Sequence, residues 1–231
     1  MHTSIEPIQA ADGRSFSAYT SMPAEPNGHA VIVLQEIFGV TDTIRAVADR
    51  YAAEGYLALA PDLFWRIEPG IELGHDKAGV ARAFEYLERF DEEAGIEDIG
   101  RTVAHVRAMQ GFQGRVAVVG LCLGGKLAYR AAAGLKVDAA VAFYGVGIEK
   151  RLDEAGSLQC PLMLHYGGRD RYAPPEAVDR IEAALPAAPR AVLHRYPQAD
   201  HGFYTRGAAE DADLAQARTQ RFLQSVLGAE R

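Results

Sequence analysis

Cysteine is scarce in this chain. Cys122 and Cys160 are its two cysteines in 231 residues, too few for the disulfide framework of a small secreted domain. Positive charge is also short. Lys and Arg number 24 against 31 Asp and Glu, a net charge of −7, which argues against a general nucleic-acid or anionic-membrane binder. Small anionic substrates stay open, because they need only local arginines. No apolar run approaches the roughly 18 residues of a membrane-spanning helix. The start Met1-His2-Thr3-Ser4-Ile5-Glu6 has no basic segment leading into an apolar one, so no secretory signal is expected and the cytoplasm is the expected location. The chain also lacks HExxH, CxxC, clustered histidines, GxGxxG and a P-loop. Neither a metal nor a nucleotide is therefore expected as cofactor.

The chain does have ample apolar material, at 48% hydrophobic, enough for the core of one domain spanning residues 1–231. Strand-like and helix-like segments alternate, which predicts an α/β fold with a mainly parallel sheet. Strands are expected over 15–22 (an early edge strand), 30–34, 56–60, 116–119, 138–143, 161–166 and 190–196. Thr41 or Asp42 is placed to cap a helix that buries Ile44, Val47, Ala48, Tyr51 and Ala52 and ends at Gly55. Helices are also expected over 77–90, 96–109 and 177–185, with a last one carrying Leu214, Ala215, Phe222, Leu223, Val226 and Leu227 on its apolar side. Ala94-Gly95 reads as a joint between two of these helices, and 62–76, rich in Gly, Pro and aromatics, as a surface excursion.

One stretch organises the rest. Val116-Ala117-Val118-Val119 reads as a short buried strand, and Leu123, Leu127, Ala131 and Leu135 then recur every fourth residue as on a helical face. Cys122 falls at the turn between them, with Gly120 and Gly124 on either side. This is the pattern of the G-x-S-x-G nucleophile elbow with a thiol in place of the hydroxyl. A thiol at a helix N-terminus also meets the positive end of the dipole, which favours its thiolate. The plain alternative is a small buried cysteine.

Catalytic groups in such sheets gather at the carboxyl ends of strands. Glu36, Cys122, Asp170 and His201 all follow predicted strands, and nucleophile, acid, histidine is the triad order of the α/β-hydrolases. His201 would take the thiol proton, and Asp170 would fix the imidazole tautomer. His165 and His194 fall inside predicted strands and read as packed or solvent-facing. Asp200 adjoins His201, but neighbouring side chains diverge, which makes Asp170 the better partner. Glu36 is unusual at the end of an apolar strand, where a carboxylate is expected to be paired or functional.

With these residues placed, the chain resembles the dienelactone hydrolases (carboxymethylenebutenolidases) of the α/β-hydrolase superfamily. The resemblance rests on Gln35-Glu36-Ile37-Phe38-Gly39-Val40, Gly55-Tyr56, Pro61-Asp62-Leu63, Phe90-Asp91, Glu93-Ala94-Gly95, Gly120-Leu121-Cys122-Leu123-Gly124-Gly125, Tyr144-Gly145-Val146-Gly147, Gly167-Gly168 with Asp170, and His201-Gly202-Phe203. It implies a mostly parallel eight-stranded sheet with helices on both faces, a triad of Cys122, Asp170 and His201, and an oxyanion hole from the backbone N–H groups of Ile37 and Leu123. It further implies that Glu36 holds the resting thiol until substrate displaces it, and that no cofactor is required. The implied substrate is an unsaturated lactone bearing a carboxylate, with Tyr144, Arg82 and Arg206 as substrate contacts. Two departures bear on that substrate. The family's first carboxylate-binding arginine maps by counting near Val80, so Arg82 is offset by two, and Arg206 comes one residue later than in H-x-F-x-R. Two other readings compete: a redox-active or regulatory thiol protein built on Cys122, and a silent binding module. As partners, a small lactone or ester substrate is expected, with the chain a monomer or weak homo-oligomer.

Overall fold

The structure, a computed structural model, describes residues 1–185 and 190–228. Eight strands form one sheet, and the chain divides into two compact units, residues 1–116 and 117–231.

The first unit opens with β1 (His2–Gln9) and β2 (Ser15–Met22), an antiparallel hairpin in which Ile5 faces Tyr19. Gly13, at φ 83°, makes the turn between them. β2 pairs antiparallel with β4 (Leu57–Pro61), and β4 runs parallel to β3 (Ala30–Leu34). The crossover between β3 and β4 is α1 (Asp42–Ala53), whose buried face is Ile44, Val47, Ala48, Tyr51 and Ala52, as its apolar spacing predicts. Two helices complete the unit, α2 (Lys77–Arg89) and α3 (Glu92–Ala108).

The second unit is built on β5 (Val116–Leu121), β6 (Ala139–Phe143), β7 (Leu162–Gly167) and β8 (Ala191–Tyr196), paired in that order and all parallel. Every residue of β5, β6 and β7 is buried, as in a parallel sheet covered on both faces. The connections are α4 (Leu123–Gly134), two short 3₁₀ turns, and α5 (Pro175–Ala184). A four-residue α6 (Phe203–Arg206) and the long α7 (Ala209–Leu227) follow β8.

Four expectations need correction. The edge strand at this end is β1, which the sequence reading passed over, and Ser15–Met22 is its inner neighbour. Helix α3 begins at Glu92 because Asp91 caps it, its carboxylate accepting from the backbone N–H groups of Glu93 and Ala94. Gly95 thus lies inside the helix, where a Cβ would collide with the ring of Phe90. The 62–76 segment is partly core, since Leu63, Phe64, Trp65, Ile71 and Leu73 are all buried. The guanidinium groups of Arg14 and Arg66 lie 4.7 and 4.4 Å from the Trp65 ring centre, and its Nε1–H donates to Asp98 Oδ2 at 2.8 Å. Asp98, fully buried, also pairs with Arg66 at 2.8 Å, so removing Arg66 would strand a buried charge at a cost of about 3–5 kcal/mol. Finally, Arg206, which its place just after His201 would put in a loop, ends the short α6.

Candidate active site

β5 delivers Cys122 into a strained turn. Its φ of 56° and ψ of −112° are an outlier for a side-chain-bearing residue. The backbone N–H of Cys122 donates to Phe143 O at 3.0 Å, and its carbonyl accepts from Lys126 N at 3.2 Å. Gly120 and Gly125 are sterically required. A Cβ on Gly120 would overlap the carbonyl of Gly124, and one on Gly125 would sit 2.6 Å from Phe143 O. Cys122 is part-exposed and caps α4, so the free N–H groups of that helix's first turn begin at Leu123. At the end of the adjacent β6 the pattern repeats: Tyr144 has φ 40°, is fully buried, and donates its N–H to His165 O at 2.7 Å.

Asp170 lies in the loop after β7 and His201 in the loop after β8. His201 Nδ1 and Asp170 Oδ2 are 2.7 Å apart. The other carboxylate oxygen, Oδ1, accepts from the N–H groups of Tyr172 at 2.8 Å and Ala173 at 3.1 Å. The Asp170 side chain is wholly buried while that of His201 is 13% exposed, so the pair points from the interior outward. The two loops are laced together by backbone bonds, Gly168 N to Tyr196 O at 2.7 Å and Arg169 N to Ala199 O at 3.0 Å. Gly167 and Gly168 allow this approach, because a Cβ on either would strike the 197–199 backbone. Asp170, and not the adjacent Asp200, therefore holds the imidazole.

Aromatic rings fence the imidazole on two sides. Tyr144 and Tyr172 each meet it edge-on, with centroids 4.9 Å away. Tyr172 had not been singled out in the sequence. Its signal was an aromatic two residues after the candidate acid, where the turn closed by Asp170 brings it back toward His201. Arg206 is exposed, and its guanidinium folds over Gly202 beside His201.

The first unit carries the other named residues. Gln35 and Glu36 follow β3 and are buried, as is Ile37. Gln35 Oε1 accepts from Leu63 N at 3.0 Å, tying this turn to the segment after β4. Arg82 lies on α2, half-exposed, 3.9 Å from Glu68 and with its guanidinium 6.0 Å from the Tyr86 ring centre. The second cysteine, Cys160, is buried, and burial pushes its thiol up to about 12. Among the described residues, no cluster of three or more His, Cys, Asp or Glu could hold a metal ion, and no helix is long and apolar enough to cross a membrane.

Comparison with known proteins places this geometry. Residues 16–227 match the model of the dienelactone hydrolase family. The chain belongs to that family. A carboxymethylenebutenolidase of Pseudomonas sp. (strain P51) is 39% identical over 224 residues, covering 95% of this chain and 94% of that one. One of Pseudomonas putida is 35% identical, with 94% of each chain covered. A putative dienelactone hydrolase from Klebsiella pneumoniae superposes with a TM-score of 0.83 at 28% identity, covering 99% of both chains. The fold is thus that of an α/β-hydrolase with an eight-stranded, mostly parallel sheet, and the protein is a hydrolase of the lactone/ester class.

Proposed function

We propose that this dienelactone hydrolase family member works as one domain that opens a lactone, or cleaves a small carboxylic ester, through a thioester on Cys122. The observation that carries this reading is the 2.7 Å contact of His201 with the buried Asp170, in the unit that also holds a strained cysteine at a helix N-terminus. With Nδ1 bound to Asp170, the other imidazole nitrogen, Nε2, takes the Cys122 proton as Sγ attacks the acyl carbon. The carbonyl oxygen becomes an oxyanion that the N–H groups of Ile37 and Leu123 receive. Collapse breaks the acyl C–O bond, and the imidazolium returns its proton to the departing oxygen, which in a lactone stays on the same molecule. Water, deprotonated by His201, then splits the thioester and frees the acid and the thiol. No cofactor enters these steps.

Glu36 is assigned the holding of the resting thiol until substrate displaces it. This suits a nucleophile whose ordinary pKa of about 8.5 leaves only a few per cent thiolate at neutral pH. The substrate class follows from the carboxymethylenebutenolidase relatives: an unsaturated lactone bearing a carboxylate, with Tyr144 against it and Arg206 and Arg82 as candidate anchors. Arg206 is assigned the larger share because its guanidinium lies over Gly202 beside His201, while Arg82 lies on α2 near Glu68 and the Tyr86 ring. With its acidic balance, the chain is read as a cytoplasmic monomer or weak homo-oligomer without nucleic-acid or membrane partners. The thiol-sensor reading is disfavoured, because Cys160, buried and held protonated, makes a poor resolving cysteine.

The test is hydrolysis of a carboxylate-bearing lactone beside a neutral aryl ester, with mass spectrometry for the acyl adduct. Cys122→Ala should abolish both activities and the adduct. Arg206→Ala should slow the carboxylate substrate alone, by roughly 10- to 150-fold for a lost charge-assisted bond of about 1.5–3 kcal/mol, and Arg82→Ala should slow it less. An adduct on any residue other than Cys122 overturns the mechanism.

A further inference from the structure

The mechanism leaves the one fully buried histidine among the described residues of the second unit without a role. His165, in the middle of β7, has no solvent exposure. Its Nδ1 lies 2.8 Å from Tyr196 Oη on β8, and its Nε2 lies 3.1 Å from Thr219 Oγ1 on α7. One ring nitrogen therefore donates and the other accepts, and both polar ends of the imidazole are satisfied. Its face stacks on Phe143 of β6 with centroids 4.6 Å apart and planes within 11°.

These neighbours lead to every group the reaction uses in this unit. Phe143 stacks in turn on Tyr204 at 4.0 Å, three residues past His201, and its carbonyl receives the Cys122 N–H. Tyr196 packs at a tilt against Phe203 with centroids 4.7 Å apart, two residues past His201, and its carbonyl receives the Gly168 N–H in the loop that carries Asp170. Phe203 meets Tyr144, which meets His201, and the carbonyl of His165 itself fixes the N–H of Tyr144. The segment after β8 is thus held from two sides, through Tyr196 and through Phe143, and both holds end on one imidazole. Shape alone would be met by any aromatic ring at this position. The two hydroxyls would not, since each lies in the interior and needs a polar partner.

We propose that His165 is a positioning residue for hydrolysis: its bonds to Tyr196 and Thr219 and its stack on Phe143 set the seat of His201 against Asp170. This rests on the assignment of His201 as the base. Burial, followed by the nearby charge of His194 and Arg218, keeps the imidazole's pKa well below its ordinary value, so it stays neutral while the enzyme works and competes with neither His201 nor Asp170 for a proton. The groups facing it are Tyr196 and His194 of β8, Arg218 and Thr219 of α7, and Phe143 of β6.

Two variants separate the parts of this role. His165→Phe keeps a ring on Phe143 and removes the imidazole's bonds to both hydroxyls, while His165→Gln retains a donor and an acceptor. Turnover of a neutral aryl ester is measured per active site, counted by the acyl burst on folded protein, together with KM and the pH profile of kcat/KM. His165→Phe should lower kcat on the order of tenfold to a hundredfold with KM within about twofold, because a misplaced base acts on the reaction rather than on binding. The acid limb of its profile should shift, and His165→Gln should restore most of the loss. If His165→Phe does not fold, Tyr196→Phe, which removes only the hydroxyl, carries the same expectation. Unchanged kcat and pH profile per active site in the folded variant overturns the proposal and makes His165 a packing residue alone. A burst on a residue other than Cys122, or turnover that survives His201→Ala, defeats the triad instead.

Discussion

Two imidazoles of the second unit show how partners divide catalytic from structural work. His201 stands at a loop, part-exposed, with one nitrogen given to a buried carboxylate. His165 lies in the neighbouring strand, fully buried, with both nitrogens given to hydroxyls. A carboxylate partner takes one nitrogen, fixes the tautomer and leaves the other nitrogen for substrate. A pair of neutral hydroxyls in the interior favours the neutral ring and leaves no nitrogen over. The residue type is the same, and the second neighbour decides what it does.

The largest expected effect breaks this comparison directly. His201→Ala should lower kcat on the order of ten-thousand-fold on any ester, as loss of a triad base does. Asp170→Asn, which keeps the shape but admits the wrong tautomer, should approach that loss. Stopped-flow turnover of an aryl ester measures both. Near-normal rates in either variant would give His201 no more catalytic standing than His165.

The same division governs the cysteines, and the expected effect is somewhat smaller. At pH 8, a thiol pushed up to about 12, as burial does to Cys160, is ionised at only about one part in ten thousand. Iodoacetamide should therefore label Cys122 on the order of a thousand times faster than Cys160 in the folded protein, read by peptide mass spectrometry. Glu36→Gln should change the pH dependence of that labelling at Cys122 and leave Cys160 untouched. If both cysteines react alike, the elbow confers no special reactivity.

Much of this was legible in the sequence, because it rests on local chemistry. The elbow is written in the spacing of Gly120, Cys122 and Gly124, with no room for a side chain at Gly120, and the buried runs at 30–34 and 116–119 can hardly be anything but interior strands. The β1 strand was not legible. Its eight residues alternate weakly, include Pro7, and are mostly exposed, so their conformation comes from pairing with β2. The start of α3 was misread because Gly95 looks like a break, whereas the ring of Phe90 explains the missing Cβ. The 62–76 segment reads as surface until Asp98, more than thirty residues away, is seen to hold Trp65 and Arg66. In the site, strand ends identified Asp170 and His201, and Tyr172 had only its place two residues after the acid to mark it, while nothing local announces the bonds that join His165 to Tyr196 and Thr219.

The smallest effect sharpens the comparison through stability. Burial holds His165 well below its ordinary value, and in the unfolded chain the same group titrates near 6.5. Its folded pKa is thus depressed. Above about pH 6.5 both states leave it neutral and it contributes nothing to pH dependence. As pH falls below that value the unfolded chain takes up a proton that the folded one refuses, and stability declines toward the folded pKa. The slope for one such proton is at most about 1.4 kcal/mol per pH unit. His194 is shifted in the same direction by weaker burial, and the buried Asp62, raised by desolvation, opposes the trend. Only a difference between variants isolates His165. Urea unfolding from pH 8 to pH 5 should therefore fall more steeply for the wild type than for His165→Gln, by nearly one proton's slope below pH 6.5 and by nothing above it. Parallel curves for wild type and His165→Gln would mean that His165 is charged in the folded protein, and the contrast between the two imidazoles would then fail at its base.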